Sequence, residues 1–298
     1  RGYPDGASIK MGRYNVQNGI NVSLGAYEGA GFLTELAGRE ARRSDRGTGN
    51  WYLYFEIDND YLYDEPGPVD ITVTYLDQGT GTWQIDYDGK NSASQAGPLV
   101  RKTNSGAWLT KTIRLPDARF ANRLLGARDF RLNAQFTSNE DDDYFNAVSV
   151  KKVPVTQVTG IIRDANPQLP VSLSGAKVRL QDLNYPNVAY EAQSDGEGRF
   201  SCQQVAIGKY QVLISKEGYQ ATASELDLTE TGANLDLTLS EGGFLGFEDS
   251  LWEIVTPADG LVLQSEEVRS GNYALEGTGG TEDKLVGTSP LDVKEALR

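Results

Sequence analysis

Apolar and polar positions alternate with a period of two through most of this chain, and the 3.6-residue period of a helix is almost nowhere sustained. Short alternating runs cut by Gly, Pro, Asp and Asn are how half-buried antiparallel strands appear in sequence. The pattern predicts strands at 20–24, 34–42, 51–57, 69–76, 82–87, 99–102, 108–115, 129–135 and 145–150. Turn signals such as Asp77-Gln78-Gly79-Thr80-Gly81 and Asn104-Ser105-Gly106 separate them. One short helical turn is expected at 117–124. Strands of this number and length suit a single sandwich of the jelly-roll kind.

A new unit opens at Val153-Pro154, with strands expected at 157–164, 177–182, 189–193, 199–204, 208–216, 221–228 and 234–239. That density makes a small Greek-key sandwich with its own core. A polar hinge follows at 240–243, and a third block runs from Phe244 to Arg298. A sandwich half the usual size leaves edges unpaired, so the third block is expected to be cut short and the chain to be a piece of a longer polypeptide. The reading is therefore all-β, with tandem β-sandwich (jelly-roll and Greek-key) domains at 1–153, 154–241 and 242–298.

Composition narrows the chemistry. The chain has no His, which removes Ser-His-Asp and Cys-His nucleophile systems and His-based zinc sites. Carboxylate chemistry, Tyr/Lys chemistry or no catalysis remain. The 42 acids make a carboxylate pair at glycosidase spacing unavoidable by chance, and nothing marks any two of them. The lone Cys202 excludes an internal disulfide framework, and its alternating strand context reads as a packed thiol. Net charge is −14; residues 1–153 carry 18 basic against 20 acidic side chains, and 154–298 carry 10 against 22. Such a surface is a poor partner for nucleic acid or anionic lipid. No apolar run approaches the roughly 20 residues that span a bilayer, so no membrane insertion is expected, and a secretion signal could lie upstream of Arg1.

The stretch 50–87 concentrates the aromatics. It holds Trp51 and Trp83, two of the four tryptophans, among many tyrosines. Such rings either fill a core or offer stacking faces to the C–H faces of sugars. The alternation of Tyr52, Tyr54, Phe55, Ile57 and Tyr75 suits core packing. Trp83 follows a Gly-Thr-Gly-Thr turn among polar residues, Tyr87 is its neighbour along the strand, and Trp108 follows Ser105-Gly106-Ala107, which suits a ligand platform. Arg119 and Arg123 belong to a basic set that, if clustered on one face, would hold an acidic polysaccharide by bidentate contacts. The same arginines read more simply as a solvated surface paired with the acids around them. Acid-rich loops at Asp141, Asp142 and Asp143, and the pair Glu248 and Asp249, are candidate ligands for a structural calcium ion or simply hydrated turns.

Three resemblances can be stated. Residues 158–164 (V-x-G-x-I-x-D), 174–180 (S-G-A-x-V-x-L), 194–201 (S-D-x-E-G-R-F-S), 205–212 (V-x-x-G-x-Y-x-V) and 216–219 (K-x-G-Y) resemble a carboxypeptidase-regulatory-like, transthyretin-like domain. That resemblance implies a spacer or stabilising module without catalytic residues. The motifs at 51–63, 73–88, 115–123 and 127–132 resemble a β-sandwich module found beside catalytic domains in bacterial polysaccharide-degrading enzymes. Gly246-Phe247-Glu248-Asp249 and the segment 269–275 are similar to the start of carbohydrate-binding jelly rolls, whose G-F-E segment helps hold calcium.

These resemblances imply a function. The chain is expected to be the non-catalytic, carbohydrate-binding and spacer part of a secreted bacterial glycoside hydrolase or polysaccharide lyase. Its partners would be a polysaccharide and a catalytic domain in the same polypeptide. The alternative is a structural or adhesive cell-surface protein built of sandwich spacers, in which the aromatics are all core. The exposure of Trp83 and Trp108 separates the two.

Overall fold

The alternation predicted from sequence is realised as strands almost throughout. A computed structural model describes residues 3–23, 31–135 and 142–242, and the backbone of two short strands beyond them. The chain divides into two units, Arg1–Val153 and Pro154–Arg298.

The first unit contains β1 (Ala7–Lys10), β2 (Val16–Asn18), β3 (Ile20–Ser23), β4 (Phe32–Leu36), β5 (Arg39–Arg43), β6 (Tyr52–Ile57) and β7 (Gly67–Leu76). It continues with β8 (Thr82–Tyr87), β9 (Gln95–Ala96), β10 (Val100–Arg101), β11 (Trp108–Ala118), β12 (Phe130–Asn133) and β13 (Tyr144–Lys152). Two antiparallel sheets form. One runs β11-β7-β13-β1-β2, with the β4–β5 hairpin also joined to β13 through β5. The other runs β10-β8-β12-β6-β3, with β9 on β8. Leu53, Phe55 and Ile57 of β6 face Ile71 and Val73 of β7, Trp83 and Ile85 of β8, and Val148 and Val150 of β13 in one core. Phe55 and Phe130 stack at 4.8 Å between ring centres within it.

Two expectations change at this level. The run 34–42 is not one strand: Ala37 (φ 47°) and Gly38 (φ 71°) turn it into the β4–β5 hairpin. Both turn residues lie in the left-handed region, which Gly adopts at no steric cost and Ala does not. The helical turn expected at 117–124 is absent. β11 runs on to Ala118, and the loop after it carries Phe120 and Asn122 at positive φ. The short helical element lies instead at Arg46–Thr48, as a 3₁₀ turn ended by Gly49.

The second unit contains β14 (Val155–Asp164), β15 (Lys177–Asp182), β16 (Ala189–Gln193), β17 (Arg199–Ala206), β18 (Gly208–Ser215), β19 (Thr222–Leu228) and β20 (Ala233–Leu239). A three-stranded sheet β17-β14-β20, with β14 and β20 parallel, packs on a four-stranded antiparallel sheet β16-β15-β18-β19. Val158, Ile162, Val178, Leu180, Phe200, Tyr210, Val212 and Ile214 make its core. Gly160 is dictated by this packing, because a Cβ there would lie 2.4 Å from the Leu235 carbonyl oxygen and 2.6 Å from the Phe200 ring. Farther on, β21 (Leu261–Gln264) and β22 (Ala274–Gly277) pair antiparallel. Glu248, Asp249 and nearly all of the block expected at 242–298 lie outside the described residues. The fold is all-β, consistent with tandem β-sandwich domains.

Candidate functional site

β8 brings Trp83 and Tyr87 to the same face of its sheet, and that face is the interior. Trp83 is fully buried, with its ring edge-on to Tyr75 (5.1 Å between centres) and to Phe145 (5.5 Å). Its Nε1 has no hydrogen-bond partner, which is consistent with a ring used for packing alone. Tyr87 is 2% exposed; its hydroxyl donates to Asp117 Oδ1 at 2.6 Å and accepts from Gln95 Nε2 at 2.6 Å. Burial first, and the adjacent Asp117 carboxylate second, hold this phenol far above its ordinary pKa. Neither ring offers a stacking face.

Trp108 begins β11 half-buried, with the Arg39 guanidinium 5.6 Å from its ring centre. The turn before it is built around Asp77. This fully buried carboxylate accepts from Thr103 N (2.7 Å), Thr103 Oγ1 (2.6 Å) and Ser105 N (3.0 Å). Burial alone would raise its pKa, but the bonds from Ser105 and Thr103 outweigh it and hold the carboxyl well below the usual range. The turn that looked like a ligand loop in sequence is thus fixed by an internal carboxylate.

Arg119 and Arg123 do come together, on the loop after β11, but each serves an acid of its own unit. Arg119 Nε bonds Asp64 Oδ1, and Arg123 lies on the fully buried Asp88 with Nη2–Oδ1 at 2.6 Å and Nε–Oδ1 at 2.9 Å. Asp88 Oδ2 also accepts from Ala121 N (2.8 Å) and Arg123 N (2.9 Å). Asp129 holds the same loop from its other side, accepting from Asn122 N (3.2 Å) and Ile57 N (2.8 Å). Burial raises the Asp129 pKa to about 6; its two backbone bonds pull the other way, and the charges of Asp88 and Glu56 add to the rise. Two buried carboxylates therefore cage a loop whose Phe120 and Asn122 sit at positive φ.

The two described acids just before β13 are also committed. Asp142 bonds Arg43 and accepts from Arg46 N at 2.9 Å. Asp143 faces Lys102, with Nζ–Oδ1 at 2.6 Å and side chains 5% and 1% exposed. Asp141 lies outside the described residues, and among the described residues no three acidic or thiol groups gather as a metal site.

Sequence reasoning missed the outer face of the second sheet. Tyr52 and Tyr54 do not point into the main core. They form a separate cluster with Leu124 and Trp51, and with Arg131, Asp86, Gln84 and Asn133 they build a polar network over the sheet. Arg131 lies 3.9 Å from the Tyr52 ring centre, donates to Asp86 Oδ2 (2.8 Å) and donates to the Tyr54 hydroxyl (2.8 Å). Asp86 further accepts from Gln84 Nε2 (2.5 Å) and Asn133 Nδ2 (2.8 Å). The signal was present in parity: positions 53, 55 and 57 are purely apolar, whereas 52, 54 and 56 end in Glu56.

The expectation of carbohydrate-binding modules from a polysaccharide-degrading enzyme is therefore corrected. Its best stacking residue is in the core, and the comparisons show no carbohydrate-binding family. The solved structures that the chain is similar to include pilins. The shaft pilin SpaA of Lactobacillus rhamnosus GG is 13% identical over 56% of this chain and 89% of its own, with a TM-score of 0.25. The group B streptococcus pilus 2b backbone protein is 12% identical over 76% and 98%, also at 0.25. The major pilin subunit of Bacillus cereus is 15% identical over 76% and 71%, at 0.23. No curated protein matches the chain. One family model does match, and it covers the second sandwich: residues 157–240 match the carboxypeptidase regulatory-like domain.

Proposed function

We propose that this chain is a structural segment of an extracellular or cell-surface protein, in which β-sandwich units act as spacers and carry no catalysis. The observation that supports this most is the use of its aromatics. Trp83, Tyr75, Phe55, Phe130 and Phe145 are all 5% exposed or less and pack on one another. The arginines that looked available, Arg119 and Arg123, are engaged within the unit by Asp64 and Asp88, and Arg131 pairs likewise with Asp86. The second unit adds a carboxypeptidase regulatory-like domain, a module whose resemblance implies a spacer. Pilin shaft and backbone proteins are among the structures this chain is similar to.

The test is retention on an array of neutral and acidic polysaccharides with calcium present. The structural reading expects no retention above a control protein. Saturable binding to any one glycan contradicts it.

A further inference from the structure

The seven-stranded sheet of the first unit does not end in one clean edge. On the side of β13 away from β7, residues 147–150 pair with β1 and residues 144–145 pair with β5. The sheet thus splits into two arms, β1–β2 and β5–β4, that part at Asn146. Asn146 O accepts from Met11 N at 2.6 Å, Asn146 Nδ2 donates to Glu40 O at 2.7 Å, and Arg42 Nη2 donates to Gly12 O at 2.8 Å. A groove of about 640 Å³ lies between the arms. Its floor is Met11, which is buried, and its rim carries Tyr14 and Val16, 85% and 67% exposed.

Two features of this groove suit a partner strand. The first is the bare edge. Among the described residues β2 pairs with β1 alone, and its three residues Val16-Gln17-Asn18 include no Lys or Pro to guard the edge, which leaves its shortness as the protection. The second is charge. Lys10 and Arg39 line the groove, and the one acid that lines it, Glu40, is drawn to Arg13 by accepting from Arg13 N (2.9 Å) and pairing with Arg13 Nε (3.7 Å).

We propose that this groove docks the acidic edge strand β19 of a second copy of the chain. β19 is the outer strand of its own sheet and pairs only with β18 among the described residues. Leu228 is buried in the core and Leu226 packs against it, which leaves Glu225 and Asp227 exposed on the opposite face. One copy thus offers a bare edge beside Lys10 and Arg39, and another offers a bare edge carrying Glu225 and Asp227. Strand addition supplies main-chain hydrogen bonds, and the opposite charges set partner and direction. The contact is heterologous, so it extends head to tail. This suits the near-neutral-to-acidic asymmetry of the chain, with 18 basic against 20 acidic residues before position 154 and 10 against 22 after it.

The inference rests on the structural reading above and is tested separately from it. Sedimentation velocity of the full chain at low and high salt reads association directly. The expected result is concentration-dependent association at low salt that weakens at least several-fold at about 0.5 M salt, where screening is nearly complete. Lys10→Glu with Arg39→Glu, and independently Glu225→Lys with Asp227→Lys, should each stay monomeric. Mixing the two variants should restore association, because each supplies a surface complementary to the other. A wild-type chain that stays monomeric at every concentration and salt overturns the proposal, as does a mixture that fails to associate. A monomer whose Trp83 is still shielded from quencher overturns the docking alone and leaves the structural reading in place.

Discussion

The buried pair Lys102–Asp143 gives the sharpest quantitative prediction. Its Nζ–Oδ1 distance is 2.6 Å and its side chains are 1% and 5% exposed. It joins the segment after β10 to the start of β13, beside the ring cluster of Tyr75, Trp83 and Phe145. Lys102→Met keeps the length of the stem and removes the charge, leaving Asp143 buried without its cation. Breaking a buried pair from one side costs about 3–5 kcal/mol, whereas replacing both partners with apolar groups of similar volume is often neutral. The double variant Lys102→Met/Asp143→Leu should therefore recover most of the loss. Urea unfolding followed by tryptophan emission isolates the effect, since Trp51, Trp83 and Trp108 all lie in the first unit and only Trp252 lies beyond it. With a slope of about 2 kcal/mol/M, the single variant should lower the midpoint by roughly 2 M. A shift under about 0.5 M, or a double variant worse than the single one, refutes the claim that this pair is desolvated.

Three further outcomes follow from the same geometry. Trp83→Ala should cost about 3–5 kcal/mol in the same urea assay, since it empties a site walled by Tyr75 and Phe145. Asp129 should make the first unit less stable as pH rises. Its folded pKa of about 6 lies above the ordinary value of 3.8, so the folded state holds a proton that the unfolded state has released, and stability present below the lower value is lost through the upper one. Unfolding midpoints should fall between pH 4 and pH 7 more steeply in the wild type than in Asp129→Asn; equal slopes contradict the assignment. Gly160→Ala should destabilise the second unit by several kcal/mol through its clash with the Leu235 carbonyl, leaving the Trp-monitored transition of the first unit in place. Limited proteolysis that cuts both units equally contradicts that independence.

Period-two alternation carried the strand content, because one buried face forces it whatever the fold. The second sandwich was legible nearly strand for strand, since its turns carry Gly at positive φ, as at Gly175, Gly198, Gly218 and Gly232. Turns built on other residues hid better: Ala37 bends the β4–β5 hairpin from within what read as one strand. The site was harder to read for a different reason. A Trp after a Gly-rich turn looks the same whether the strand turns its odd or its even positions inward, and register decides that only through pairing partners far away, here Val100 opposite Trp83. Likewise, the ion pairs of Arg119 and Arg123 span 55 and 35 residues, so their acids could not be named from local spacing.

The central claim, that the aromatic stretch builds the sandwich rather than a binding surface, is tested most directly at Trp83. Acrylamide quenching of the wild type and of Trp83→Phe isolates that indole. The account predicts that the difference between the two is a blue-shifted component nearly inaccessible to quencher. A Trp83 component quenched as readily as free indole contradicts it.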